Sequence, residues 1–256
     1  MKVLAVIQAR MNSRRLPGKV LADLGGISVL ELMIHRLRKS RSLTRIVVAM
    51  TQSPSDDPLA LACNKIGIEI FRGQEFDVLG RFTDVSNLYP DFDTIVRLTA
   101  DCPFIDPAIV DLVVAKYLSA GVSYCSNRLP PPYSRTYPIG LDVEVFSRSG
   151  LLEANREAHA PYEREHVTPY FYSQERLASV AILDTEPDMS SIRLTIDTSS
   201  DLGICRQLYQ SLSSKDSDLF ELVEAWGKIA LPEVLSPQNS FRSQDDRWGP
   251  GNAALS

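Results

Sequence analysis

The chain has 256 residues, of which 44% are hydrophobic, and its formal net charge is −5. This length and apolar content suit an α/β domain with a full core. The acidic balance argues against a general nucleic-acid binder, because no excess of Lys and Arg is present to neutralise a phosphate backbone. An anionic ligand must therefore be held by locally concentrated positive charge.

Neither the cysteines nor the apolar runs indicate a metal cluster, a disulfide framework or a membrane span. Cys63, Cys102, Cys125 and Cys205 are widely spaced and form no CxxC pair. The apolar run at residues 1–7 is too short for the hydrophobic region of a signal peptide. No stretch approaches the roughly 20 apolar residues that a membrane helix needs. We therefore expect a cytoplasmic protein.

The first half of the chain alternates apolar, β-branched runs with segments of helical spacing. The predicted strands cover residues 3–9, 45–49, 68–71 and 94–98, and the predicted helices cover 27–37, 57–66, 76–88 and 107–118. Asp106 is the expected N-cap of the last of these helices. Such alternation is typical of βαβ crossovers and a mostly parallel sheet, in which ligands bind at the carboxyl ends of the strands.

The pattern changes in the second half. Residues 128–138 are rich in Pro and Tyr and predict an irregular loop, whereas 140–146 alternate apolar and acidic residues like a half-exposed strand. Further helices are predicted at 149–158, 163–172, 200–212 (capped by Ser199 or Ser200) and 220–229, and a further strand at 192–196. We predict one domain over residues 1–235, with 126–172 as an excursion and 236–256 as a disordered tail.

A basic loop follows the first predicted strand. Arg10, Arg14, Arg15 and Lys19 lie close together in an otherwise acidic chain, and Ser13 and Gly18 lie among them. Guanidinium groups, an ammonium group and backbone N–H groups in one loop can cradle a polyphosphate. The alternative is a solvated basic surface, which is disfavoured because the loop directly follows the first predicted strand.

Two carboxylates follow other predicted strands. Asp101 lies just past the strand at 94–98 and Asp197 just past the strand at 192–196, so both fall at the ligand-binding edge. A carboxylate that faces a triphosphate site is a natural Mg²⁺ ligand. The alternatives are a turn or capping role for Asp101 and N-capping of the next helix for Asp197; Asp106 is best explained as a cap.

These motifs together resemble a known family. The loop from Gln8 to Lys19 resembles the ARxxSxRLPGK signature of sugar-activating cytidylyltransferases such as CMP-Kdo and CMP-sialic acid synthetases. The wider pattern looks most like the spore coat polysaccharide biosynthesis protein F family. Its matching segments here are residues 73–82, 97–107, 140–146, 163–172 and 193–202.

The resemblance implies a Rossmann-like nucleotide-diphospho-sugar transferase fold, with a mostly parallel sheet and helices on both faces. It implies a Mg²⁺-dependent enzyme that forms a CMP-sugar from CTP and a sugar or sugar acid, releases pyrophosphate and serves cell-surface polysaccharide synthesis. Relatives are often homodimers, for which 126–172 is the expected interface.

The resemblance also implies roles for individual residues. Arg10, Arg15 and Lys19 would hold the triphosphate, Asp101 and Asp197 would hold Mg²⁺, and the segment from Gly73 to Arg81 would lie near base and ribose. The catalytic set is Arg10, Arg15, Lys19 and Asp101. The nucleotide-binding set is Ala9, Arg10, Ser13, Arg15, Gly18, Lys19, Gly73, Asp77, Arg81 and Thr99.

Other polar and aromatic side chains have open interpretations. Asp142 and Glu144 share a face and could contact the acceptor, solvent or a partner subunit. His166 could be a general base, although a structural role is more common for such a residue. Four tyrosines could stack on a sugar or pack in the core: Tyr133, Tyr137, Tyr170 and Tyr172.

Two other functions compete with nucleotidyl transfer. A glycosyltransferase of the same fold would use a nucleotide sugar and usually carries an Asp-x-Asp metal motif; Asp91-Phe92-Asp93 precedes the strand at 94–98 instead of following it. A non-catalytic nucleotide-binding scaffold would be expected to lose the cations or the carboxylates, and all of them are present.

Overall fold

A seven-stranded sheet forms the centre of the computed structural model, which describes residues 2–229. The strands are β1 (Val3–Gln8), β2 (Arg45–Thr51), β3 (Glu69–Gly73), β4 (Thr94–Thr99), β5 (Tyr124–Ser126), β6 (Glu144–Ser147) and β7 (Val180–Ile182). Their order is β3-β2-β1-β4-β6-β5-β7, and only β6 runs antiparallel to its neighbours. The predicted mostly parallel sheet is confirmed.

Helices cover both faces of this sheet, as predicted. They are α1 (Val29–Leu37), α2 (Asp57–Lys65), α3 (Val78–Leu88), α4 (Pro107–Ala120), α5 (Arg148–Glu157), α6 (Pro161–His166), α7 (Ser199–Ser211) and α8 (Leu219–Ile229). The core on one face includes side chains of α1, α2, α4, α7 and α8, and the core on the other includes side chains of α3 and α5. Strand β1 is apolar and buried from Val3 to Ile7, as expected for a strand that is covered on both faces.

Local signals set several helix ends. The side chain of Asp106 accepts a hydrogen bond from the backbone N–H of Ala108, 2.8 Å away, so its predicted capping role is confirmed. Helix α4 ends at Gly121, whose φ of +64° is a conformation that glycine adopts without strain. Helix α7 is capped by Thr198, so the predicted caps Ser199 and Ser200 are wrong by one or two positions.

Three predicted elements in the second half are wrong in extent. The strand predicted at 140–146 begins only at Glu144, and both Asp142 and Glu144 are buried where one half-exposed face was expected. The helix predicted at 163–172 ends at His166, because Val167 has a φ of +69°, and a 3₁₀ turn follows. The strand predicted at 192–196 makes only an isolated bridge with Ile139. The predicted tail and residues 230–235 lie outside the described residues.

Gly140 allows the segment that carries Asp197 to approach the sheet. Its φ is +101°, and a Cβ at this position would lie 2.6 Å from the backbone nitrogen of Thr195. We expect Gly140→Ala to lower the free energy of unfolding by about 3 kcal/mol or more, from strain and overpacking together. Urea unfolding measures this loss. The control is Gly121→Ala, where φ is also positive at +64° and an added Cβ meets no atom within 4 Å. It should lose only about 1 kcal/mol, and equal losses would contradict the argument.

Candidate active site

A cavity of about 500 Å³ lies at the carboxyl ends of β1 and β4, the edge where the sequence predicts ligand binding. Cationic side chains outnumber carboxylates in its wall, although the chain as a whole is acidic. The cations are Arg10, Arg14, Arg15, Lys19, Arg81, Arg97 and Arg128, and the carboxylates are Asp101, Glu144, Glu165 and Asp197. The cavity therefore suits an anionic ligand.

The basic loop after β1 is held by a buried carboxylate. Asp56 is fully buried and accepts the backbone N–H of Met11 at 2.7 Å through one oxygen. Its other oxygen accepts the backbone N–H and the hydroxyl of Thr51, at 2.8 and 2.6 Å. Arg10 and Arg14 line the cavity and have no hydrogen-bond or ion-pair partner among residues 2–229. The loop backbone is thus fixed while these two guanidinium groups remain available to a ligand.

Lys19 joins the two carboxylates that the sequence singles out. Its Nζ lies 2.8 Å from Oδ2 of Asp101 and 2.9 Å from Oδ1 of Asp197, and it also donates to the carbonyl of Ile196 at 2.7 Å. Burial lowers the pKa of Lys19, but the two carboxylates outweigh burial and the pKa lies above its ordinary value of 10.5. Lys19 is therefore charged at neutral pH.

Backbone contacts bring Asp197 beside Asp101 even though residues 192–196 form no sheet strand. The N–H of Ile196 donates to the carbonyl of Asp101 at 2.9 Å, and the hydroxyl of Thr195 donates to the same carbonyl at 3.2 Å. Capping of α7 is done by Thr198 and Asp201, so Asp197 is not the cap. Its carboxylate is instead bound by Lys19, by Arg15 at 2.8 Å and by Arg193 at 2.6 Å.

Asp101 and Asp197 fit a divalent cation that also binds phosphate. Both are acceptor-only groups, and they already converge on one positive centre, the Lys19 ammonium. Mg²⁺ usually takes one or two carboxylates and completes its shell with water and phosphate oxygens. Residues 2–229 hold no group of three or more His, Cys, Asp or Glu side chains that could bind a metal, so further ligands would have to come from substrate and water.

Arg81 on α3 has an unusual environment. Only 3% of it is exposed, and its Nε is buried without a hydrogen-bond partner, although Nη1 donates to the carbonyl of Gln74 at 2.7 Å. Burial, and to a lesser extent Arg10, lower the pKa of Arg81 to about 10. Arg81 lines the cavity and its Nη2 has no hydrogen-bond partner within residues 2–229, so this nitrogen can donate to an acceptor that enters the cavity.

Arg97 of β4 and Glu144 of β6 form a buried ion pair, on the side of β1 that is opposite to β2. Nη1 of Arg97 contacts Oε2 of Glu144 across the antiparallel pair β4–β6, and Nε of Arg97 donates to the Gln8 side chain at 3.1 Å. Oε1 of Glu144 accepts the hydroxyls of Tyr124 at 2.8 Å and Thr168 at 2.6 Å. Burial alone would raise the pKa of Glu144, but Arg97, Thr168 and other donors outweigh burial and hold it below its ordinary value.

Comparison with known proteins identifies the family. A model of the cytidylyltransferase family matches residues 4–221. The chain is 34% identical to the spore coat polysaccharide biosynthesis protein SpsF of Bacillus subtilis, over 86% of this chain and 92% of that protein. The chain belongs to the cytidylyltransferase family.

Solved structures agree with this assignment. A cytidylyltransferase from Leptospira borgpetersenii superposes with a TM-score of 0.84 at 35% identity, over 93% of this chain and 98% of that one. CMP:2-keto-3-deoxy-manno-octonic acid synthetase, solved with CTP, superposes at 0.63 with 17% identity, over 83% of this chain and all of that one, and supports the fold alone. This cytidylyltransferase is thus an enzyme with the nucleotide-diphospho-sugar transferase fold.

The cytidylyltransferase structure gathers most of the predicted site residues around one cavity. Its wall includes Ala9, Arg10, Ser13, Arg15, Lys19, Arg81, Thr99, Asp101 and Asp197. Three predicted residues, Gly18, Gly73 and Asp77, lie outside that wall. Gly18 shapes the basic loop with a φ of +74°, and Gly73 leaves room for Arg81, whose side chain would lie 3.1 Å from an added Cβ.

Asp77 connects two helices instead of facing the cavity. It caps α3 by accepting the N–H of Gly80 at 2.9 Å, and it receives two hydrogen bonds from Arg164 of α6, at 2.9 and 2.6 Å. Burial would raise the pKa of Asp77, but these partners lower it below its ordinary value. Because both of its oxygens are already bound by Gly80 or Arg164, Asp77 is not one of the nucleotide contacts proposed below.

His166 and the four tyrosines considered in the sequence lie in different environments. His166 and Tyr172 line the cavity, and Tyr137 is buried in the core. Tyr170 donates to Glu153 at 2.7 Å, and Tyr133 is 36% exposed. Sequence reasoning missed the remaining polar wall residues, which are Gln8, Arg97, Arg128, Tyr162, Glu165 and Thr168. For Arg97 a signal existed, because it is a charged residue inside an apolar strand.

No helix within residues 2–229 combines the length and apolar character needed to cross a bilayer.

Proposed function

We propose that this cytidylyltransferase transfers CMP from CTP to a hydroxyl of a sugar or sugar acid and releases pyrophosphate, with Mg²⁺ as cofactor. The convergence of Lys19, Asp101 and Asp197 beside the basic loop carries this proposal. Family membership supports CTP as the nucleotide, and a relative named 3-deoxy-manno-octulosonate cytidylyltransferase, 25% identical, supports a sugar acid as acceptor.

The residues of this chain would act mainly by positioning and charge stabilisation. Arg10, Arg15 and the loop N–H groups bind the β- and γ-phosphates, and Arg81 binds the nucleoside end. The acceptor oxygen attacks the α-phosphorus in line, the bond from that phosphorus to the bridging oxygen breaks, and pyrophosphate leaves. The hydroxyl proton passes to water.

Asp101 and Asp197 would hold the Mg²⁺, which supplies charge neutralisation at the phosphates when bound. With the carboxylates neutralised by the metal, the Lys19 ammonium, which lines the same cavity, would donate to the phosphates instead. The basic loop, whose backbone is held by Asp56, would orient the leaving pyrophosphate. No protein nucleophile is required.

The glycosyltransferase alternative lacks a suitably placed Asp-x-Asp motif. Asp91 and Asp93 precede β4 and so lie at its amino end, whereas Asp101 follows the carboxyl end at the cavity. Asp91 is exposed and pairs with Lys2 at 3.4 Å. A scaffold would not need the cations and carboxylates that line this cavity. A homodimer formed through residues 126–172, a cytoplasmic location and a role in polysaccharide synthesis stay predictions.

Pyrophosphate release tests the proposal. The protein is incubated with Mg²⁺ and each of the four common NTPs, with and without sugar acids such as 3-deoxy-manno-octulosonate and N-acetylneuraminate. We expect release only with CTP and an acceptor, and full loss on chelation of the metal. Release with a different NTP would contradict the base assignment. Tight CTP binding without release for any acceptor would favour the scaffold.

A further inference from the structure

We infer that Val167 is a positioning residue, whose strained backbone turn places His166 and Thr168 together in the wall of the cavity, where they face the second substrate. The inference rests on the proposed function, because it assigns this part of the wall to the acceptor and not to CTP. It concerns the backbone that shapes the wall, whatever acceptor the enzyme uses.

The backbone at Val167 forms a γ-turn of the strained kind. Its φ is +69° and its ψ is −51°, and the N–H of Thr168 donates to the carbonyl of His166 at 2.8 Å. A γ-turn with a positive φ is the rare and strained form. Val167 is the only residue other than glycine with a positive φ among residues 2–229, and it is β-branched, which makes this conformation especially unfavourable. Strain of this kind persists only where the surroundings enforce it, and it is concentrated at functional sites.

Contacts on three sides enforce the turn. The side chain of Val167 is fully buried in the core that includes α3 and α5. Its N–H donates the last helical hydrogen bond of α6, to the carbonyl of Glu163 at 3.0 Å. On the other side of the turn, the hydroxyl of Thr168 donates to Oε1 of the buried Glu144 at 2.6 Å. Packing of the Val167 side chain is the one of these restraints that a substitution at this position can weaken.

The turn decides which side chains reach the wall. Helix α6 presents Tyr162, Glu165 and His166 to the cavity, which is the spacing of one helix face. In a continued helix, residue 168 would point about 200° away from His166, because each residue adds about 100°. Pro169 would then follow on the cavity face. The γ-turn instead brings Thr168 into the same wall as His166. A relaxed backbone at Val167 would therefore remove one of these two side chains from the wall.

This part of the wall is separate from the groups proposed to bind CTP. The basic loop follows β1, and Arg81 belongs to α3, which packs against β1, β2 and β3. Thr168 is bound to Glu144 of β6, which is two strands away from β1 in the sheet. A nucleotide that uses the basic loop and Arg81 leaves His166 and Thr168 to the acceptor. We therefore expect the turn to govern the KM for the acceptor and not the KM for CTP.

The stabilities of Val167→Gly and Val167→Ala test the strain. Both variants lose the packing of the valine, but only alanine keeps the Cβ that opposes a positive φ. At ordinary backbone positions alanine is the more stable of the two. At position 167 we expect the reverse, with an unfolding constant in urea that is larger for Val167→Ala than for Val167→Gly by about 5-fold or more.

Val110 provides the matched control. It is also fully buried, but it lies inside α4 and is not part of the cavity wall. Val110→Ala should be more stable than Val110→Gly, because glycine is unfavourable within a helix. The same order of alanine and glycine at positions 110 and 167 would overturn the inference.

Steady-state kinetics test the positioning role. The variants are assayed with CTP, Mg²⁺ and either 3-deoxy-manno-octulosonate or N-acetylneuraminate, at a temperature where all of them are folded. In Val167→Ala the strain remains while the packing that enforces the turn is weakened. The acceptor KM should therefore rise by about 10-fold, as it would if about one molecule in ten kept the competent turn. In Val167→Gly the turn is no longer strained, so the rise should be less than about 3-fold, and the KM for CTP should change by less than about 3-fold in both variants.

The kinetic outcomes are distinct. A side chain that only fills space would give Val167→Gly the larger acceptor KM, and that order would overturn the positioning role. A KM for CTP that rises as much as the acceptor KM would overturn it as well. Absence of pyrophosphate release by the wild type with CTP and every acceptor would instead reject the proposed function and the acceptor role with it. The comparison in urea would still decide whether the turn at Val167 is strained.

Discussion

Asp101→Asn should reduce kcat by on the order of 10³-fold or more while CTP still binds. The substitution keeps the size of the side chain and removes one of the two carboxylates that converge on Lys19. If these carboxylates bind Mg²⁺, the neutral amide weakens the metal site directly. The proposed phosphate-binding cations Arg10 and Arg15 are untouched, so affinity for CTP should fall far less than turnover.

The measurement that separates metal binding from general damage is the Mg²⁺ dependence. In Asp101→Asn the Mg²⁺ concentration for half-maximal rate should rise by at least about 10-fold, as expected when a metal ligand is weakened. Asp111→Asn is the control, since Asp111 accepts hydrogen bonds from Ser40, Arg41 and Ser42 and is not part of the cavity wall. A near-normal rate in Asp101→Asn, or an equal shift in the control, would remove the metal from the mechanism.

The sequence alone predicts that Asp101 and Asp197 lie close together, because each of them follows an apolar extended segment. That reasoning needs only the rule that such segments end at one edge of a parallel sheet. The segment before Asp197 joins the sheet by one bridge, and its backbone is attached to the carbonyl of Asp101 instead. The predicted proximity of Asp101 and Asp197 is therefore correct, but the edge of a parallel sheet explains only part of it. The contribution of Gly140 to this close approach was not predicted.

The buried ion pair of Arg97 and Glu144 beside the cavity could not be predicted in the same way. Arg97 and Glu144 are directly opposite each other in the β4–β6 register. Register depends on packing of two whole strands, and a single sequence carries little information on it. The alternation around Glu144 suggested one solvent-facing side, but both faces of this strand are covered, so the periodicity was misleading.

The break at Val167 shows a different limit. A β-branched residue at a φ of +69° is disfavoured locally and persists only because tertiary contacts hold it, and Val167 is fully buried. Helical spacing alone predicted one helix over 163–172. Pro169 was the available warning, since the residues before a proline tend to leave the helical conformation. The three-residue strands β5 and β7 are too short for any periodicity to mark them.

Lys19→Met should reduce kcat/KM for CTP by about 10²- to 10³-fold, the range expected when one preorganised charge-stabilising donor is lost. It should also destabilise the metal-free protein by about 3 kcal/mol, because the ammonium that joins Asp101 and Asp197 is removed and leaves buried negative charge. Arg15 and Arg193 still bind Asp197, so folding should survive. Thermal unfolding and steady-state kinetics measure the two effects.

The metal response of this variant distinguishes a neutralising role from simple packing. In the wild type, Lys19 compensates the two carboxylates when no metal is bound, so added Mg²⁺ should raise Tm only modestly. In Lys19→Met, Mg²⁺ is the remaining cation that can bridge them, and the rise in Tm should be clearly larger. The double variant Lys19→Met/Asp101→Asn should recover metal-free stability without activity, since it removes the excess charge but not the catalytic defect.

The pH dependence of this stabilisation follows from the raised pKa of Lys19. Burial lowers that pKa, but the two carboxylates raise it by more than burial lowers it, so the folded value lies above the ordinary 10.5. A raised pKa means that the folded state holds its proton more tightly than the unfolded chain. The stabilisation is then complete below pH 10 and is lost only as pH rises through the folded pKa. The stability difference between wild type and Lys19→Met should therefore stay constant from pH 6 to about pH 9. A difference that shrinks within that interval would show that Lys19 loses its proton there, and the carboxylates would then need another partner.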